Sequence, residues 1–214
     1  MLKKHLWKII IAGVVILLAG SIAYSQYVGK QADEGVVATP HIKGNPEASV
    51  TLVEYSDFQC PACAQFYPYI KDLVDEYNDS LRFEYRHFPL VNIHPQATPA
   101  ARAAEAASQQ GKFWEMHDKL FEEQNVWSKA ANPSAYFNQY AEEIGLDTNL
   151  FKRHLNSSIL HDVVNEGFND ARDRGFTGTP TFLLNDQLME FTTFDEFRAA
   201  IVAAIEENEE IPSN

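Results

Sequence analysis

Hydrophobic and polar residues follow two different periods at the start of the folded part of this chain. Residues 50–55 read VTLVEY, a β-branched and apolar run typical of a buried strand. Residues 81–88 read LRFEYRHF, whose alternation predicts a second strand. Between them, residues 61–77 carry apolar side chains at helical spacing. The pattern predicts a βαβ unit.

The rest of the chain changes to a helical pattern and then returns to strands. Two short strands are predicted around an Asn185-Asp186 turn, and a last helix is predicted over residues 194–207. A βαβ unit, a helical block and a ββα unit favour an α/β fold with a mixed sheet and one helical insertion. The helices predicted in the middle cover residues 95–110, 112–124, 133–144, 147–156 and 157–174, and the two strands cover residues 181–184 and 187–190.

The amino terminus has the pattern of an export segment. Three lysines precede an uninterrupted apolar run over residues 9–24, which is long for a signal peptide and short for a bilayer span of about 20 residues. We favour a signal anchor over residues 1–24. The alternative is a signal peptide cleaved after Ala23. Either one exports the rest of the chain, because the lysines stay in the cytoplasm. Residues 25–47 lack periodicity and predict a tether before a domain over residues 48–210.

Composition narrows the classes of ligand. The net charge of −13 argues against nucleic acid as a partner. The histidines do not have the spacing to a cysteine that zinc sites show, so we expect no metal ligand and assign these side chains to the surface or the core. This interpretation applies to five of the seven histidines, which are His87, His94, His117, His154 and His161.

Cys60 and Cys63 are the two cysteines of the chain. A disulfide that closes a four-residue ring stabilises a fold by only about 2 kcal/mol, against about 4.7 kcal/mol for a 100-residue loop. Two cysteines alone also do not complete a structural zinc site. The pair therefore points to chemistry rather than to a structural bridge.

The position of Pro61 suggests what that chemistry is. Proline is favoured at the first position of a helix, which makes Cys60 the N-cap residue. A thiolate there faces unpaired N–H groups and the positive end of the helix dipole, so its pKa falls below about 8.5. A pKa of about 5 raises the thiolate fraction of Cys60 at pH 7 about 30-fold but lowers the nucleophilicity of the thiolate about 40-fold. Attack by Cys60 therefore gains almost nothing. The low pKa does make Cys60 a better leaving group, which favours donating a disulfide over reducing one.

Two further features fit the same site. Glu54 lies within an apolar strand, where an ionised carboxylate needs a partner. We interpret it as a proton acceptor for Cys63 or a nearby water, with an outward-facing edge residue as the alternative. Thr179 and Pro180 begin a predicted strand, and a Gly-x-Pro entry tolerates a cis bond.

These segments together resemble a known family. CPAC after VEYSDFQ, YRHFPL, GKFWEMHDKLF and FTGTPTFLLN are similar to the DsbA-type thiol:disulfide oxidoreductases, in their membrane-tethered or secreted bacterial branch. The resemblance implies a thioredoxin fold with an inserted helical domain over about residues 95–156.

The resemblance also implies roles for single residues. Cys60 corresponds to the nucleophile and Cys63 to the resolving cysteine. Thr179 and Pro180 correspond to the cis-proline loop that docks substrate, and Glu54 to the buried carboxylate. One position departs from the family pattern: Ala62 follows Pro61 where the DsbA proteins of enteric bacteria carry histidine. The resemblance therefore implies a milder oxidant than those proteins.

The sequence thus predicts an extracytoplasmic enzyme that donates the Cys60–Cys63 disulfide to unfolded secreted proteins with free thiols. No organic cofactor is expected. Reoxidation by a membrane quinone-linked thiol oxidase is implied by the family alone. A disulfide reductase or isomerase of the same fold, and a non-catalytic peptide-binding module, remain as alternatives.

Overall fold

The computed structural model describes residues 2–209. Within that part of the chain the strands form one five-stranded sheet in the order β1-β3-β2-β4-β5. β2 and β3 run parallel, and the other neighbouring pairs run antiparallel. The strands are β1 (His41–Gly44), β2 (Val50–Ser56), β3 (Leu81–His87), β4 (Thr181–Leu184) and β5 (Gln187–Leu188).

Helices cover both faces of this sheet. The helices are α1 (Leu2–Ala32), α2 (Pro61–Glu76), α3 (Ala97–Ser108), α4 (Phe113–Glu122), α5 (Gln124–Trp127), α6 (Ser134–Glu143), α7 (Thr148–His154), α8 (Ser158–Asp173) and α9 (Phe194–Glu209). The predicted thioredoxin fold with a helical insertion is confirmed, and α3 to α7 form that insertion. The predicted domain end at residue 210 lies outside the described residues.

The central strand explains where the cores lie. β2 is buried on both faces, because α2 and α9 cover one side and α8 covers the other. Leu52 packs with the α2 and α9 side chains, whereas its neighbour Val53 packs with Ala171 of α8. Side chains of alternate residues point to opposite faces of a strand. Glu54 therefore faces the α2 side of the sheet, together with Leu52.

The first helix is longer than the apolar run predicts. α1 continues to Ala32, and residues Ile10–Ala32 form a helix of 23 residues with a mean hydropathy of 1.7, whose most apolar part is not buried inside the protein. It is long and apolar enough to cross a membrane. This fits a membrane anchor or a signal segment.

Residues 25–47, which the sequence predicts to be a tether, contain the end of α1 and the strand β1 and are bonded to the domain. The carboxylate of Asp33 accepts hydrogen bonds from the backbone and hydroxyl of Ser158 and the hydroxyl of Ser157, at the start of α8. Val37 exchanges two backbone hydrogen bonds with the side chain of Gln109. β1 then pairs with β3. The pattern gives no sign of β1, because the strand has only four residues and its buried inward residue, His41, is polar.

Candidate active site

The two cysteines lie where β2 passes into α2. Cys60 is the N-cap residue, with an extended backbone at φ −72° and ψ 122°, and Pro61 begins the helix. Cys60 is 6% exposed and Cys63 is fully buried, while Pro61 and Ala62 between them are exposed. The sulfur that a substrate can reach is therefore that of Cys60, as the sequence predicts. Both cysteines are free thiols in this structure.

Asp57 holds the loop in front of Cys60. Its carboxylate accepts hydrogen bonds from the backbone N–H of Gln59 at 2.7 Å and of Leu90 at 2.9 Å. It also lies 2.7 Å from Nδ1 of His94. These contacts tie the cysteine loop to the chain that follows β3. Asp57 is not among the site residues predicted from the sequence, although an aspartate two residues before a backbone donor is a common turn-forming pattern.

The surroundings of Cys60 stabilise its thiolate. A hydrogen bond from Cys63 is the largest cause, burial opposes it, and Thr179 and the N–H groups of Cys63 and Ala62 add to it; together they lower the pKa of Cys60 from 9.0 to about 5. In the thiol form, Cys60 Sγ donates to the carbonyl oxygen of Thr179 at 3.4 Å. The Thr179 hydroxyl is buried with no other hydrogen-bond partner among the described residues, so it is available to the thiolate.

Cys63 is kept protonated by the opposite effects. Burial, the hydrogen bond that it gives to Cys60 and the charge of Glu54 raise the pKa of Cys63 well above 9.0. The two cysteines therefore differ strongly in acidity. At neutral pH the reduced pair carries one negative charge, on Cys60.

Glu54 lies beneath the pair. It is 3% exposed and sits on the central strand, so the alternative of an outward-facing edge residue is wrong. Burial raises the pKa of Glu54 from 4.5 to about 7, the Ser56 hydroxyl opposes this, and the charge of Cys60 adds to it. A carboxyl group that titrates near neutral pH can give or take a proton during the reaction.

Tyr85 completes this buried polar layer and is not among the site residues predicted from the sequence. It lies directly opposite Glu54 across the β2–β3 register, and its hydroxyl is buried without a hydrogen-bond partner among the described residues. Burial and the charges of Glu54 and Cys63 raise the pKa of Tyr85 well above 10.0. The phenol thus stays a neutral donor facing Glu54 and Cys63.

The cis-proline segment lies beside Cys60. The Thr179-Pro180 peptide bond is cis, and β4 begins at the next residue. The Thr181 hydroxyl donates to the carbonyl oxygen of Gly178 at 2.7 Å, which closes the turn. The structure therefore brings together residues that are about 120 positions apart in the sequence, as the 3.4 Å contact between Cys60 and Thr179 shows.

Gln124 fixes the backbone of the cysteine loop from the helical insertion. Its side-chain amide donates to the carbonyl oxygens of Phe58 at 2.8 Å and Cys60 at 2.9 Å. Gln124 is 6% exposed and begins α5, a single turn that the sequence analysis did not separate from the preceding helix. A polar residue at the end of an amphipathic helix gives no sign of such a role.

The comparisons with known proteins agree with this geometry. The family model described as Thioredoxin matches residues 37–203. A solved thioredoxin-like oxidoreductase from Silicibacter pomeroyi DSS-3 is 30% identical, with a TM-score of 0.65, over 78% of this chain and 92% of that chain.

Two further solved structures share the fold. BdbD from Bacillus subtilis, in its oxidised form, is 24% identical with a TM-score of 0.65, over 80% of this chain and 98% of that chain. The thiol-disulfide exchange protein alpha-DsbA2 from Wolbachia pipientis is 20% identical with a TM-score of 0.67, over 85% of this chain and 98% of that chain.

Part of the chain is also similar to much longer proteins. The Na(+)/H(+) antiporter NhaA 3 from Salinispora tropica is 43% identical over 151 residues, which are 68% of this chain and 21% of the antiporter. The chain thus spans about a fifth of the length of this curated relative. The matched family, the cysteine pair at the helix start and the adjacent cis-proline agree with one another. The chain belongs to the thioredoxin family, and it shares the fold of the DsbA-type protein alpha-DsbA2.

Proposed function

We propose that this protein is an extracytoplasmic disulfide oxidase, which donates the Cys60–Cys63 disulfide to secreted proteins as they fold. The observation that carries the proposal is the difference in acidity between the two cysteines, with the pKa of Cys60 lowered to about 5 and that of Cys63 raised. A stabilised thiolate makes the reduced form of the enzyme more stable, and so makes the disulfide a stronger oxidant.

The reaction takes two thiol exchanges. A substrate thiolate attacks Sγ of Cys60, the Cys60–Cys63 bond breaks, and Cys63 leaves with the electron pair. A second substrate thiolate attacks the substrate sulfur of the mixed disulfide, and the Cys60 thiolate leaves. The substrate has then lost two electrons and gained a disulfide, and the enzyme pair is reduced.

Glu54 assists the first exchange. Cys63 is the poorer leaving group because its thiolate is buried. With a pKa of about 7, Glu54 is protonated in roughly half of the molecules at neutral pH and is coupled to the charge of Cys63. We assign Glu54 the transfer of a proton to departing Cys63, and the reverse transfer when the enzyme is reoxidised.

An apolar surface next to the cis-proline suits an unfolded substrate. Val91 and Ile93 are 48% and 69% exposed on the loop after β3. They line a pocket of about 500 Å³ together with Phe88, Leu90, Phe168 and Thr177. Thr177 lies two residues before Thr179. Unfolded chains expose apolar side chains that such a pocket can bury. Pro180 would then present the substrate backbone to Cys60.

The helix α1 supports the proposed site of action. Its apolar length and the lysines before it support an anchor with the catalytic domain outside the cytoplasm. Cleavage after Ala23 would release the same domain. A membrane quinone-linked thiol oxidase would reoxidise the pair. Membrane fractionation, with protease added to intact cells, tests both the anchor and its orientation.

The test of the activity is disulfide formation in reduced, unfolded ribonuclease. Stoichiometric oxidised enzyme should restore ribonuclease activity, and Cys60→Ala should abolish this while retaining the fold. Gln139→Ala, an exposed change on α6, is the control and should act as the wild type. Full activity of Cys60→Ala would contradict the mechanism.

Equilibration with glutathione tests the direction. A Cys60 pKa of about 5 rather than about 7, as in thioredoxin, stabilises the reduced form about 50-fold at pH 7, which is about 50 mV. We expect a potential at least that far above about −270 mV. A potential at or below the thioredoxin value would favour the reductase instead.

A further inference from the structure

A second cluster of reactive side chains lies away from the cysteine pair. His41 of β1, His87 at the end of β3 and Glu105 in the last turn of α3 converge in the core. Their exposed fractions are 7%, 3% and 0%. Nε2 of His41 lies 2.5 Å from Oε1 of Glu105, and Nε2 of His87 lies 2.8 Å from the same oxygen. The three candidate ligand atoms all lie within 4.8 Å of one another.

Hydrogen bonding alone leaves this cluster incomplete. Both imidazoles contact one oxygen of Glu105, while the other oxygen, Oε2, is buried with no hydrogen-bond partner among the described residues. A carboxylate can accept about four hydrogen bonds. A bare buried carboxylate oxygen costs free energy that a purely structural ion pair would avoid. A cation held between the three side chains would remove that cost.

The cluster also has access to solvent. All three residues line a pocket of about 330 Å³, which extends past Glu166 and Asp170 of α8. Glu166 is exposed and makes no hydrogen bond to another described side chain, so it or a water molecule can take a fourth position. A metal ion could enter from this side without unfolding the domain.

We propose that His41, His87 and Glu105 form a binding site for a divalent transition metal ion, with zinc as the representative ion. Two imidazole nitrogens and one carboxylate oxygen, with a fourth position open, are an established zinc ligand set. Calcium and magnesium prefer all-oxygen sites, so the histidines argue against them.

The three ligand atoms must move apart from their present hydrogen bonds to accept the ion. Ligand atoms about 2.0–2.1 Å from zinc in a tetrahedron lie about 3.4 Å apart. The two Nε2 atoms would move back from Oε1 by less than about 1 Å, as their protons leave.

The position of the site suggests a structural role. The three ligands come from β1, β3 and α3, so the ion would fasten the first strand and the helical insertion to the sheet. His87 also contacts the ring of Phe58, two residues before Cys60, with centroids 6.0 Å apart. The ion would lie behind the aromatic layer that supports the cysteine loop, and outside the exchange reaction itself.

Zinc titration of the full-length protein tests the proposal. The protein is purified in detergent without a histidine tag, stripped with a chelator, and oxidised so that Cys60 and Cys63 cannot bind the metal. We expect one zinc per chain by calorimetry and a higher thermal midpoint with zinc than with calcium. His41→Gln and His87→Gln should each weaken binding by at least about 100-fold. His161→Gln on α8 is the control and should bind as the wild type.

Several results would overturn the assignment. They are the absence of stoichiometric zinc binding, zinc binding by His41→Gln and His87→Gln that equals that of the wild type, and stabilisation by calcium alone. If a variant does not fold, cobalt added to the wild-type oxidised protein decides the question. A four- or five-coordinate cobalt spectrum without a thiolate charge-transfer band supports the site, whereas a cobalt spectrum that requires the reduced cysteines contradicts it.

Discussion

The replacement of Cys63 by alanine should raise the pKa of Cys60, because the hydrogen bond from Cys63 is the largest cause of its low value. Hydrogen bonds to charged groups contribute about 1.5–3 kcal/mol, and S–H is a weak donor, which indicates the lower end of that range. A free energy of about 1.4 kcal/mol corresponds to one pKa unit. The Cys63→Ala variant should therefore titrate near about 6 instead of about 5.

Cys63→Ser is the matched control. Serine keeps a donor at the same position, so the pKa of Cys60 should stay near 5 in that variant. The comparison separates the loss of the hydrogen bond from the loss of the second thiol.

The assay is the ultraviolet absorbance of the thiolate against pH. At pH 5.5 the thiolate fraction of Cys60 should fall about threefold in Cys63→Ala, and at pH 7 it should hardly change. Alkylation rates would hide this difference, because a thiolate of higher pKa is a better nucleophile by nearly the same factor. Equal midpoints for the alanine and serine variants would refute the role of Cys63. A wild-type midpoint near 8.5 would refute the N-cap explanation as a whole.

Three further predictions concern stability. Burial of Glu54 costs free energy only when the carboxyl group is ionised, so Glu54→Gln should stabilise the protein by up to about 3 kcal/mol above pH 7. The gain in the free energy of unfolding, measured by chemical denaturation, should decrease as the pH falls to 4.5 and be absent below pH 4.5. The low pKa of Cys60 stabilises only the reduced protein, so the free energy of unfolding of the reduced relative to the oxidised form should drop by roughly 3 kcal/mol between pH 7 and pH 4. Gln124→Ala removes two hydrogen bonds of about 1 kcal/mol each and should lower stability by about 2 kcal/mol, seen in urea unfolding.

Each of these has its own control. Glu190→Gln is the control for Glu54→Gln. Glu190 is exposed, so its replacement should change stability by less than about 0.5 kcal/mol both above pH 7 and below pH 4.5. Cys60→Ser should remove the pH dependence of the difference between reducing and oxidising conditions. Gln139→Ala, whose hydrogen bond to Glu143 is exposed, should be neutral. If Glu54→Gln destabilises the protein above pH 7, or if Gln124→Ala behaves like Gln139→Ala, the roles assigned to Glu54 and Gln124 are wrong.

The sequence predicts the strands and helices of the domain where the pattern has a single physical cause. β2 is apolar because helices cover both of its faces, and its predicted bounds differ from the structure by one residue. The N-cap position of Cys60 follows from Pro61 alone. These features depend on residues that are close together in the sequence, so the sequence pattern can predict them.

The residues that the sequence misses depend on tertiary contacts. Tyr85 faces Glu54 only because β2 and β3 pair in this register. Gln124 reaches the cysteine loop because the helical insertion folds back onto α2. His41 and His87 lie 46 positions apart in the sequence and have no spacing typical of a metal motif, so sequence spacing gives no indication of the proposed metal site.

The short distance between α1 and the domain has a consequence for where the enzyme can work. The candidate span ends at Ala32, and Asp33, the next residue, is already bonded to the start of α8. A helix of 23 residues measures about 35 Å, slightly more than the hydrocarbon thickness of about 30 Å. In the proposed membrane arrangement no flexible linker separates the membrane span from the domain, so the domain cannot move away from the membrane surface. Cys60 would stay at a constant height above the membrane surface. Substrate proteins would have to come to that height in order to react.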